Sequence, residues 1–127
     1  MGQSVPISRL PVLVIEDEPV LRGEILDLVE HAGFLPVEAT SVADAIRILE
    51  ERMDIRIVYM DLDMPRSIKG IEVAASIRDR WPPIEIILTA AFFEEADLIL
   101  PARAEFYPKP IQREQVVSAM KRMMAHL

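Results

Sequence analysis

Cysteine is absent from this chain of 127 residues. That excludes disulfide bonds and thiolate metal sites, and it fits a reducing compartment. Long hydrophobic runs are missing too, since no stretch approaches the roughly 18–20 apolar residues of a membrane span. The opening MGQSVPISRLP has no apolar signal-peptide core. Basic residues are in deficit, with 14 Lys and Arg against 21 Asp and Glu and a net charge of −7. A nucleic-acid-binding surface would need a basic patch, so the charge argues against that class of partner. Internal repeats, linkers and low-complexity tracts are likewise absent. The expectation is a soluble cytoplasmic protein with no membrane contact.

Apolar residues make up 51% of the chain, enough for one hydrophobic core at this length. A tail over residues 1–10 precedes a single domain over 11–127. Residues 12–15 form a continuous apolar run of strand type, ended by Glu16-Asp17-Glu18-Pro19. Leu21, Ile25, Leu28, Val29 and Ala32 then recur at helical spacing, and Gly33 stands where a helix stop belongs. Residues 34–39 read as a weak edge strand interrupted by Pro36. Ser41 and Asp44 resemble a capping box ahead of a stripe of Val42, Ala45, Ile46 and Leu49.

A third strand, 55–60, runs into Asp61 and Asp63. A loop leads to a helix carrying Ile71, Ala74 and Ile77, which the Pro82-Pro83 pair cannot continue. Residues 84–88 form a fourth strand, followed by Thr89. Residues 92–100 hold at most a helical turn or two before Pro101, and 105–107 form a short fifth strand before Pro108-Lys109-Pro110. The last helix starts near Arg113, with Val116, Val117, Met120 and Met124 on one face. Alternating strands and helices predict a doubly wound α/β domain, a parallel sheet with helices on both faces. Strands buried on both faces read as unbroken apolar runs, as the first, third and fourth do.

Every unusual polar residue follows a strand, which is where open parallel sheets bind ligands. Glu16 and Asp17 follow the first, Asp61 and Asp63 the third, Thr89 the fourth and Lys109 the fifth. Carboxylates gathered in this way repel and raise one another's pKa. A divalent cation relieves that, and Mg²⁺ suits one or two carboxylates plus a phosphate. Thr89 and Lys109 add a hydroxyl donor and a positive charge for phosphate oxygens. Such a set suits phosphoryl transfer, where positioning and charge neutralisation dominate.

The segments VLVIEDEP, IVYMDLDMP with its following Gly, IILTA and FYPKP occur in order. Together they make residues 10–125 resemble the receiver domain of the response regulators of two-component signalling. The resemblance implies a flavodoxin-like five-stranded sheet of order 2-1-3-4-5. It implies that Asp61 is the phosphoacceptor, taking its phosphoryl group from a sensor histidine kinase or a phosphotransfer protein. Mg²⁺ would bind through Asp17, Asp61, the backbone carbonyl of Asp63 and, largely through a coordinated water, Glu16. Thr89 would bond a phosphoryl oxygen and move on activation, with Phe106 turning in or out as the second switch residue. Lys109 would pair with the acyl phosphate or, before it forms, with Asp61, and the Lys109-Pro110 bond would be cis. The shift would be read at the face made by the segment after the fourth strand, the fifth strand and the last helix. A stand-alone receiver without an output domain is expected, signalling by protein contact, phosphate relay or as a phosphate sink, with a homodimer left open.

Three features depart from the family pattern. Gly70 falls one residue late after Asp61, so the loop MPRSIKG is longer. The interval from Thr89 to Lys109 is short, replacing the usual helix between the fourth and fifth strands, as in receivers similar to an alphaproteobacterial subgroup. Asp63 places a further anion beside the phosphoryl position, with an effect on dephosphorylation whose direction the sequence leaves open. Two other classes compete. Asp61-x-Asp63 also resembles the nucleophile motif of haloacid-dehalogenase-type phosphatases, although that motif belongs on a first strand. A pseudo-receiver would keep the fold and bind partners without phosphate. His31 and His126 read as surface residues, Met123-Met124 as core and frayed end, and Phe92-Phe93 as core filling or an exposed binding aromatic.

Overall fold

The computed structural model describes residues 9–64 and 70–125. The lengthened loop at 65–69, His126 and most of the N-terminal tail lie outside these. Five parallel strands form one sheet of order β2-β1-β3-β4-β5. They are β1 Pro11–Ile15, β2 Leu35–Ala39, β3 Ile57–Asp61, β4 Glu85–Ala90 and β5 Ala104–Pro108, interleaved with helices α1 Pro19–His31, α2 Val42–Glu51, α3 Gly70–Arg80 and α4 Arg113–Met124. Between β4 and β5 the expected turn or two of helix reduces to one 3₁₀ turn, Glu95–Asp97.

β1, β3 and β4 are buried along their whole length, because alternate side chains face two separate cores. Val12, Val14, Ile57, Tyr59 and Ile87 pack against Ile25, Leu28 and Val29 of α1 and Val116, Ala119, Met120 and Met123 of α4. Leu13, Ile15, Val58, Met60, Ile86 and Leu88 pack against Ala45, Ile48 and Leu49 of α2 and Ala74 and Ile77 of α3. Pro36 is tolerated because β2 is an edge strand, paired with β1 alone.

Local chemistry sets the helix ends. Glu18 caps α1 by accepting the Val20 and Leu21 amides at 3.2 and 2.6 Å. Gly33, at φ +95°, supplies the left-handed residue that turns the chain toward β2. The Ser41 hydroxyl accepts the Asp44 amide at 3.0 Å, but the Asp44 carboxylate reaches back to the Thr40 amide at 3.2 Å, one residue short of a true capping box.

Several sequence-based expectations need correction. Ile55 is buried yet precedes the ladder, which begins at Ile57, and the strand continues through Asp61. β4 likewise continues through Thr89 to Ala90. The apolar stripe of α4 runs Val116, Ala119, Met120, Met123, while Met124 is half exposed and Val117 only partly buried. The helical period selects that set, and the small Ala119 conceals it in the sequence. Phe92 and Phe93 divide: Phe93 packs against the core, and Phe92 is 84% exposed.

Candidate functional site

The sheet delivers its polar residues to one end. Glu16 leaves β1 and is 1% exposed, so it is no solvated turn residue. Asp61 is the last residue of β3 and lies in register with Thr89 of β4. The backbone continues the alignment, with Leu62 N–H donating to Thr89 O at 2.8 Å and Lys109 N–H to Ala90 O at 2.9 Å. Lys109 follows β5, and its bond to Pro110 is cis. Glu16, Asp17, Glu18, Asp61, Asp63 and Lys109 thus border one open pocket of about 460 Å³. The half-buried Asp17 forms part of its wall. Arg22, unremarked in the sequence, fixes the β1–α1 loop by donating to Glu16 O at 3.0 Å and pairing with Glu38 at 2.6 Å.

Asp61 is held at both oxygens. Its Oδ1 accepts the Asp63 amide at 2.7 Å and its Oδ2 accepts Lys109 Nζ at 2.7 Å. Burial pushes its carboxyl upward, but the neighbouring Glu16 carboxyl, the Lys109 ammonium and the Asp63 amide outweigh that and hold it below the ordinary range. Glu16 shows the converse: burial, with the Asp61 carboxyl beside it, pushes its pKa up to about 8. Two carboxyl groups side by side favour one proton between them. Burial disfavours the Lys109 charge, yet Asp61 and Asp63 together raise its pKa above the ordinary value.

Among the described residues no group of three or more His, Cys, Asp or Glu is arranged to hold a metal ion. A Mg²⁺ site needs fewer, since one or two carboxylates, a carbonyl and waters complete its octahedron. The donors here fit that pattern. Asp17 and Asp61 share a pocket with Glu16, whose buried Oε1 has no hydrogen-bond partner among the described residues. An acid oxygen in that condition and a carboxyl pKa forced upward are what a cation or its bound water would relieve.

Thr89 is fully buried, and its hydroxyl also lacks a hydrogen-bond partner among the described residues. Strand alternation turns it to the face of Tyr59, whose phenol lies beside it without reaching hydrogen-bond geometry. Burial holds that phenol far above its ordinary pKa. Phe106 is turned inward, 8% exposed, opposite Leu88 in the other core.

Sequence reading missed Tyr59 and the reach of Asp63. Tyr59 could have been found from its spacing, two residues before Asp61 and therefore on the same face of β3. The Asp63 side chain is expected from the sequence as an anion beside the phosphoryl position, but its contacts across the sheet carried no such signal. It accepts the Ala91 amide at 2.5 Å and the Phe92 amide at 3.2 Å and lies 3.2 Å from Lys109 Nζ.

A family profile described as the response regulator receiver domain matches residues 12–121. The chain is 30% identical over 117 residues to the sensor kinase CckA of Brucella abortus, which covers 89% of this chain and 12% of that protein. It is 27% identical over 128 residues to the two-component response regulator PprB of Pseudomonas aeruginosa, covering 96% of this chain and 46% of that protein. The chain therefore spans less than half the length of these relatives. The crystal structure of a response regulator receiver protein from Sinorhizobium medicae superposes with a TM-score of 0.77 at 26% identity, covering 92% of this chain and 95% of that one. A receiver domain protein from Clostridium thermocellum gives a TM-score of 0.81 at 24% identity, over 91% and 94% of the two chains, and bears on the fold alone.

Proposed function

Because the chain belongs to the family of response regulator receiver domains, we propose that Asp61 is its phosphoacceptor and that the surrounding groups serve that one carboxylate. The observation that carries this is the double hold on Asp61, an amide on Oδ1 and the Lys109 ammonium on Oδ2. Both keep the carboxyl ionised, and together they fix its rotation, so that it faces the pocket as a nucleophile.

The phosphodonor is a phosphohistidine on a sensor kinase or phosphotransfer protein. A carboxylate oxygen of Asp61 bonds to phosphorus as the phosphorus–nitrogen bond breaks, and the imidazole leaves with a proton. Asp17, Asp61 and the Asp63 backbone carbonyl would hold Mg²⁺, with Glu16 acting through a coordinated water. Bound there, the ion supplies charge neutralisation for carboxylate and phosphoryl oxygens. Lys109 then pairs with the phosphoryl group. Thr89, whose buried hydroxyl has no partner among the described residues, turns from beside Tyr59 to donate to a phosphoryl oxygen. Phe106 responds from its inward position.

The altered state is read where β4 leads into β5, a segment that presents Phe92 and Ile99, 84% and 92% exposed. A target protein docks there, and the same face would seat a second copy of the chain. Neither alternative gains support from the structure. The Asp-x-Asp motif begins on β3 and not on a first strand, and Glu16, Asp17, Asp61, Thr89 and Lys109 all converge on one end of the sheet.

Intact mass after incubation with acetyl phosphate and Mg²⁺ tests the reading. One phosphoryl adduct is expected in the wild type and none in Asp61→Asn. An adduct formed by Asp61→Asn at the same site and rate would remove Asp61 from this role.

A further inference from the structure

A dianionic phosphoryl group on Asp61 needs a cation and amide donors around it, and part of that set is already taken. Lys109 Nζ lies 2.7 Å from Asp61 Oδ2 and 3.2 Å from Asp63 Oδ2. The same Asp63 oxygen accepts the Ala91 amide at 2.5 Å, and Oδ1 accepts the Phe92 amide at 3.2 Å. The Asp63 side chain is only 7% exposed. A buried carboxylate with three donors on it is firmly placed, because charge-assisted bonds in a partly dry site are the strong ones. Its placement spans 28 residues of sequence and joins the β3 loop to the first two residues beyond β4.

We infer that the Asp63 carboxylate is a resident anion that holds the segment after β4 closed, and that a phosphoryl group on Asp61 displaces it by competing for Lys109. The inference rests on Asp61 as phosphoacceptor. The physical reason is charge. Asp63 is stable in place because a shared ammonium offsets it, and a phosphoryl group two residues away takes that ammonium and replaces the single charge of the Asp61 carboxylate with roughly two. Left beside a dianion without its cation, the carboxylate is repelled, and the amides of Ala91 and Phe92 lose their acceptor. Phe92, already 84% exposed, sits on the released segment. Asp63 is thus a positioning residue, which acts on phosphorylation through Lys109 and on the reading face through two amides.

Hydrogen exchange resolved at single amides, together with intact mass, separates the parts. In the unmodified protein the Ala91 and Phe92 amides are expected to exchange about tenfold or more slowly than in Asp63→Ala, while Leu62, donating to Thr89 O within the sheet, is unchanged. Asp63→Asn keeps an oxygen acceptor and loses the charge. It should retain part of the protection and bind beryllofluoride with Mg²⁺ several-fold more tightly than wild type. On loading wild type with acetyl phosphate or beryllofluoride, protection at Ala91 and Phe92 should fall while that of Leu62 persists. The inference is overturned if Asp63→Ala leaves both amides as protected as before, if loading leaves them protected, or if Asp63→Asn binds the analogue no better. If Asp61 takes up no phosphoryl group in either form, the reading of Asp61 falls and the displacement with it. Loss of protection in unmodified Asp63→Ala would then still establish the tether.

Discussion

Lys109→Met should destabilise the fold by about 3 kcal/mol at neutral pH in the absence of metal, and the deficit should shrink on acidification. Methionine keeps most of the lysine stem, so the change is chiefly the loss of charge. Contacts of 2.7 and 3.2 Å to Asp61 and Asp63 correspond to about 6 and about 5 kcal/mol of bare Coulomb attraction at an effective dielectric of ~20. Most of that is offset by the cost of taking the charges out of water. Removing one partner of a buried pair costs typically about 3–5 kcal/mol, because the other charge stays behind unpaired. Here the lower end applies. Lys109 is 19% exposed at the edge of an open pocket, and Glu16, whose pKa is already raised, can hold a proton beside Asp61.

The pH dependence fixes the sign. In the wild type the folded pKa of Asp61 is lowered, so its stabilising contribution is present above its unfolded value and is lost as pH falls through the folded one. The folded pKa of Lys109 is raised, so its contribution is present below its unfolded value and is lost only as pH rises through the folded one. In Lys109→Met the carboxyls lose their cation and become easier to protonate. Between pH 7.5 and pH 5 the wild type keeps the Asp61 contribution, because both values lie above its unfolded pKa, while protonation of carboxyls left without their cation relieves the variant. Urea titrations at pH 5 and pH 7.5, both without metal, read the difference. Adding Asp63→Asn to the variant should restore part of the loss at pH 7.5, since one uncompensated anion is gone. A loss under about 1 kcal/mol at pH 7.5, or one as large at pH 5, would refute this account of the site.

Two further substitutions test the packing by the same denaturant melts. Phe92→Ser should leave stability within about 0.5 kcal/mol of wild type, because the ring is already in solvent, while Phe93→Ser should cost about 1–2 kcal/mol of lost apolar burial; equal losses would contradict their division. Met120→Ala, at a fully buried position, should cost about 2–5 kcal/mol, against under about 0.5 kcal/mol for the half-exposed Met124→Ala, and comparable values would misplace the buried face of α4.

How far the sequence could be read depended on the range of the interaction that decided each feature. Strands buried on both faces announce themselves by unbroken apolar runs, and Pro36 marks an edge because it cannot donate to a ladder. Order and layers were therefore accessible from local pattern. Boundaries were not, because they belong to pairing: β3 starts at Ile57 and not Ile55 since Ile57 is where β4 finds its register partner in Glu85. Asp61 and Thr89 ended inside their strands for the same reason. Of the site, Glu16, Asp17, Asp61, Thr89 and Lys109 could be named because each directly follows or ends an apolar strand. The tether of Asp63 to residues 28 and 29 positions away has no local trace at all.

That tether also joins two departures from the family pattern which look unrelated in the sequence, an acid at position 63 and a missing helix between β4 and β5. A chain leaving a buried strand carries amides that must find acceptors. A helix beginning there would bring a capping side chain from its own first residues. Here the segment makes only a three-residue 3₁₀ turn, and Glu94 ahead of it gives no side-chain cap. The Ala91 and Phe92 amides are met instead from β3's loop by Asp63, which occupies the acceptor's place that a local cap would take. The consequence is a change in what controls the segment. A helix is capped by its own sequence, whereas this segment is capped by a carboxylate that shares its one close cation among the described residues with the phosphorylation site. Shortening the helix and placing an acid two residues after Asp61 therefore act as one arrangement, in which the charge on Asp61 sets how tightly the β4–β5 segment is held.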